Sequence, residues 1–215
     1  MNRLCVDTVE VAEVGRKFAS IHVFNTDKDK VSICLGVCQG DAALERQNDP
    51  RLLEIFADKN DIASFIKALK SVAVEKTLDF YLVESHGWVS VYSEQFSFET
   101  VKEYACRYFK EVDNPVLTVG YFDDDVLEIA CLSAGEAVTA LVKGPNIGAY
   151  GLNEADMDAD AFSGLFHADA KKATEAFARE DIDEICAALA RLLGIPLDLS
   201  LRDVKKDAEC VTFNV

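Results

Sequence analysis

Histidine is scarce in this chain of 215 residues: there are three, His22, His86 and His167. Imidazole is the side chain whose charge changes near neutral pH, so the chain holds little material for general acid–base catalysis. Nucleophile signatures are missing too, with neither a G-x-S-x-G elbow nor a C-x-x-C pair. Positive charge is short: 22 Lys and Arg stand against 38 Asp and Glu, a net charge of −16. The densest basic stretches, Lys171-Lys172 and Lys205-Lys206, are isolated doublets. A polyanion such as DNA or RNA therefore meets net repulsion with no basic patch to overcome it, which excludes nucleic acid as a partner. No apolar run approaches the roughly 18 residues that a bilayer span needs, which argues against a membrane partner. The first residues, Met-Asn-Arg-Leu-Cys-Val-Asp, carry no apolar stretch of signal-peptide length.

Half the residues are hydrophobic and 28% are charged, which is ordinary globular composition and excludes a disordered chain. Seven cysteines are scattered at mostly apolar positions: Cys5, Cys34, Cys38, Cys106, Cys131, Cys186 and Cys210. An odd number without an export signal reads as reduced thiols packed as small hydrophobes, which predicts a cytoplasmic protein.

Two-residue alternation predicts strands over 18–25 and 31–38, paired as a hairpin across the polar turn Thr26-Asp27-Lys28-Asp29-Lys30. Further strands are expected at 78–84, 88–92, 116–122, 126–132, 136–143 and 210–215. The turns between them include Ser85-His86-Gly87 and Asp123-Asp124-Asp125. Helical spacing appears in Ile62, Phe65, Ile66 and Leu69 and again over 98–111, where Ser97 is the expected N-cap. After the glycine-rich loop 144–151 come helices near 161–166, 170–179 and 182–193. Asp181 is the expected cap of the last, and Gly194 with Pro196 its stop.

The predicted fold is α+β: antiparallel sheet built from helix–hairpin units, with helices packed on one face and a helical C-terminal region. Residues 1–143 read as the antiparallel region and 144–215 as a loop plus helices on the same core, one domain overall. Residues 61–92 and 98–130 offer themselves as two related units, since a shift of 38 lays Leu78–Tyr92 on Val116–Ala130 without a gap. Identity over that overlay is near zero.

Chemistry-bearing patterns are few. Asp156-Met157-Asp158-Ala159-Asp160 opens like a calcium loop, but the positions that need glycine and a bidentate glutamate hold Ala161 and His167. It reads as a solvated acidic helix N-terminus. Loop 144–151 lacks the lysine-serine/threonine pair of a phosphate loop. The aromatics from Trp88 to Phe109 sit at core spacing. The one candidate metal set is His86 with Asp123, Asp124 and Asp125, should the two hairpin tips meet; imidazole plus carboxylates suits a divalent ion.

Two functional readings follow. The preferred one is a non-enzymatic binding protein, inhibitory or regulatory, whose acidic surface engages a basic protein. The alternative is a small-molecule or metal-dependent hydrolase using His86 and Asp123–Asp125. A subunit of a homo-oligomer is a third reading, which an exposed apolar stripe on helix 182–193 would mark. Nothing in the sequence calls for a cofactor.

Overall fold

The computed structural model describes residues 16–36, 77–110 and 112–214. Seven strands form one sheet: β1 (Lys17–Phe24), β2 (Thr77–Ser85), β3 (Trp88–Tyr92), β4 (Val116–Phe122), β5 (Val126–Ser133), β6 (Glu136–Lys143) and β7 (Glu209–Asn214). Their order is β6-β5-β4-β1-β3-β2-β7, and every neighbouring pair is antiparallel. Described helices are α1 (28–36), α2 (Val101–Tyr108), α3 (Ala159–Phe166), α4 (Ala170–Phe177), α5 (Ile182–Leu193) and the short α6 (Leu201–Val204). A 3-10 turn spans Ile147–Tyr150.

Strand parity sorts the core onto two faces. Phe18, Trp88, Leu117, Val119, Tyr121, Leu127, Ile129 and Cys131 point to one side and pack on Phe162, Phe166, Phe177, Ile185 and Leu189 of α3–α5. Ile21, Val23, Phe80, Leu82, Val89 and Val91 point to the other, under Val31 and Leu35 of α1 and Val101, Ala105 and Tyr108 of α2. Helices thus cover both faces, where the sequence suggested one. The antiparallel α+β class and the helical C-terminal region are as expected.

Over its described residues the second expected strand is a helix. Residues 31–36 continue α1, in which Val31 is 2% and Leu35 0% exposed while Ile33 is 64% exposed. Burial thus follows a four-residue spacing, where alternation would have buried Ile33 with them. Asp27 starts the helix: its Oδ1 accepts from Lys30 N at 2.9 Å. The helix expected over 98–111 begins later, at Val101. Thr100 holds the N-cap position without a side-chain cap bond, and Thr100 Oγ1 accepts instead from Ser97 N at 3.1 Å. Phe98 is pressed onto β4 at Gly120, where a Cβ would lie 2.8 Å from the Phe98 Cα. The α5 reading holds at both ends: Asp181 caps it by accepting from Asp183 N and Glu184 N, and Gly194 closes it with φ 73°. The helical pattern at 61–71 lies outside the described residues.

The gap-free overlay of the two hairpins fails on the pleat. The β2–β3 loop has two residues, His86 and Gly87, and the β4–β5 loop has three, Asp123 to Asp125. The odd difference inverts the second strand, so Val89 and Val91 fall on one face while their overlay partners Leu127 and Ile129 fall on the other.

Candidate functional site

β1 sits between the two hairpins and fixes where their tips go. Phe24 is paired with Trp88, beside the His86–Gly87 tip, whereas Lys17 is paired with Phe122, beside the Asp123–Asp125 tip. The tips therefore stand at opposite ends of β1, roughly 23 Å apart at about 3.3 Å per residue. His86 and Asp123–Asp125 do not form one ligand set. Among the described residues no group of three or more His, Cys, Asp and Glu side chains is placed to hold a metal. His86 serves its turn in the left-handed region, φ 50°, before Gly87 at φ 79°.

The other histidines also have structural settings. His167 ends α3 in a left-handed conformation. His22 is fully buried in β1, its Nε2 2.8 Å from Ser20 Oγ and its Nδ1 2.7 Å from Ser90 Oγ on β3. Neutral imidazole offers one donor and one acceptor, and a hydroxyl complements either. Burial without a counter-ion pushes the imidazole down to about 3. The expected acidic helix start is present at α3, where Asp158 accepts from Asp160 N and Ala161 N. Cys131 and Cys186 are buried as expected, Cys34 and Cys106 are half-buried, and Cys210 is exposed.

Several polar side chains meet at the Asp123–Asp125 end of the sheet. Asp123 and Asp124 both adopt left-handed backbone, φ 59° and 57°, which aspartate tolerates better than most residues. This tip meets the first turn of α5. Tyr121, stacked on Phe18 with 4.6 Å between ring centroids, sends its hydroxyl out of the core between two carboxylates. Tyr121 Oη lies 2.9 Å from Asp124 Oδ1 and 2.7 Å from Asp183 Oδ1. One hydroxyl proton serves one carboxylate at a time, and Arg16 supplies the remaining donors. Its guanidinium bonds Asp183, reaches Asp124 at 3.5 Å and donates to Tyr121 Oη at 3.2 Å. Burial first, then the hydrogen bonds to Asp183 and Asp124, hold the Tyr121 phenol well above its usual range. It stays protonated at neutral pH and acts as a donor, which makes it neither base nor nucleophile.

Asp125 faces the loop after β6, accepting from Asn146 Nδ2 at 2.5 Å and Tyr150 Oη at 3.0 Å. Gly144 makes that approach achievable. A Cβ there would lie 1.9 Å from the Asp125 carbonyl oxygen, and its φ of 149° disfavours any side chain. This end presents Asp123, Asp124, Asp125, Asp181, Asp183 and Glu184 against Arg16, Lys17 and Arg179. Sequence reasoning picked out the three tip aspartates but missed Arg16, Tyr121 and Asp183. Asp183, read only as part of a helix start, is 167 residues from Arg16, and no local pattern joins them.

The apolar stripe of α5 is turned inward, with Ile182, Ile185, Cys186 and Leu189 buried in the core. That helix does not show the exposed stripe expected of an oligomer subunit. No described helix is long and apolar enough to cross a membrane. The chain matches no protein-family model, no curated protein and no solved structure.

Proposed function

We propose that the chain is a non-enzymatic binding protein whose acidic end, the β4–β5 tip with the first turn of α5, docks a basic protein. The observation that carries this reading is the excess of six carboxylates over three cations, Arg16, Lys17 and Arg179, at one end of the sheet on a rigid frame. The tip is locked by Gly144 and Asn146, and α5 is fixed by its cap and its buried stripe. Carboxylates held in place lose little freedom on meeting a cationic surface, and the overall charge of −16 steers that surface inward. Catalysis has less support: the buried imidazole is shut from solvent, and the phenol at the acidic end is held protonated.

The test uses an oligo-arginine peptide as the basic probe and two triple variants of equal charge change. One is Asp123→Asn, Asp124→Asn, Asp125→Asn. The other is Glu99→Gln, Glu103→Gln, Glu136→Gln, on the α2 side of the molecule. Affinity should fall steeply with added salt and should fall further in the tip variant than in the control. Affinity indifferent to salt, or equal losses in both variants, would end the proposal.

A further inference from the structure

Against the overall negative charge, one groove has the opposite sign. α4 and α5 run side by side, and the cleft between them has a volume of about 290 Å³. Three of its lining residues are cations, Lys172, Arg179 and Arg191, against the one carboxylate of Glu175. Glu175 already has Lys171 at 4.0 Å. Lys172, Glu175 and Ala176 belong to α4, Arg179 lies two residues past its end, and Ala188, Arg191 and Leu192 belong to α5. Lys172, Ala176 and Arg179 line one wall, and Ala188 and Arg191 the other, so the small side chains open a trough between the long charged ones.

Among the described residues neither Lys172 nor Arg191 has a side-chain partner, and Arg179 uses Nη1 on Glu184 at 2.7 Å. The Arg179 Nε is buried and makes no hydrogen bond. An anion in the groove would balance the two free cations and meet the accessible part of the Arg179 side chain, which is 39% exposed. The volume lies at the small end of ligand pockets, which fits a small molecule and not a chain. Two guanidinium groups favour an oxyanion with paired acceptors.

We propose that the α4–α5 groove binds a small phosphate-bearing ligand through Lys172, Arg179 and Arg191. The groove shares Arg179 with the acidic end through its pair with Glu184, whereas Lys172 and Arg191 belong to the groove alone. The test titrates the full chain with pyrophosphate while amide resonances are followed, with inorganic phosphate and citrate as separate arms. Residues of α4 and α5 should shift saturably at millimolar pyrophosphate, more weakly with phosphate and least with citrate. Lys172→Ala and Arg191→Ala should each weaken binding about tenfold, the loss of one charge-assisted contact. Both residues are exposed, so the variants should keep the thermal midpoint of the parent. Absence of a saturable shift, or an affinity unchanged in the double variant, would overturn the proposal. Stronger binding of citrate, or of an acidic peptide, would overturn the phosphate assignment.

Discussion

Acid should unfold this protein partly through one side chain, His22. In the fold its ring is fully buried between Ser20 and Ser90, and burial brings its imidazole down to about 3 from the ordinary 6.5. The unfolded chain therefore binds a proton below about pH 6.5 that the folded chain refuses until about pH 3. Where the unfolded state binds more protons, stability falls as pH falls. The loss begins near pH 6.5, deepens across the window and levels off below about pH 3. Between pH 7 and pH 5 it comes to about 2 kcal/mol for this one group, a large share of a typical domain's stability. Carboxylates titrate in the lower part of the same window, so the measurement is a difference. Urea unfolding of the parent and of His22→Gln is followed at several pH values from 7 down to 5. Glutamine keeps an amide donor and acceptor near the serines but cannot take up the proton. The parent should lose about 2 kcal/mol more than the variant over that range. Parallel pH profiles would refute the reasoning.

Two further outcomes follow from packing. Gly144→Ala should cost about 2–4 kcal/mol, since the new Cβ meets the Asp125 carbonyl oxygen at 1.9 Å on a backbone no alanine favours. A shift in the urea midpoint checks it, and a change under about 0.5 kcal/mol, the range of an unremarkable surface site, would contradict it. Phe162→Ala should cost about 3–5 kcal/mol, because the ring is fully buried with Phe166 and Phe177 at 5.1 and 5.2 Å. Denaturant unfolding reads this directly, and a loss near 1 kcal/mol would mean that the C-terminal core collapses around the gap.

Local patterns in the sequence were legible where one signal dominated. Alternation placed β3, β4 and β6 at their observed residues, and the Asp181 cap with Gly194 bounded α5 correctly. Residues 31–38 misled because Val31 and Leu35 satisfy both a two-residue and a four-residue period. The deciding cue was Asp27, a helix cap read as turn chemistry. Cys210 shows the same limit: it lies on an outer strand, where alternation carries no information about which face is covered. The α6 turn went unnoticed because a reciprocal Ser200–Asp203 capping box supports only four residues.

The acidic end was half legible. Three consecutive aspartates announce an exposed turn, and they were found. Their meeting with Arg16 and Asp183 depends on strand order, which no local pattern carries. β1 separates the two hairpins, so the turn that seemed a neighbour, His86, is carried to the far end, while a helix start distant in sequence is brought in. A hydroxyl leaving the core at Tyr121 joins the tip to that helix start.

The most direct measurement is a map of amide perturbations on the full chain as an oligo-arginine peptide is added at low salt. Perturbations should concentrate at 121–126 and 181–184 and fade as salt rises. A map spread evenly over the acidic surface, or centred on another element, would contradict docking at this end.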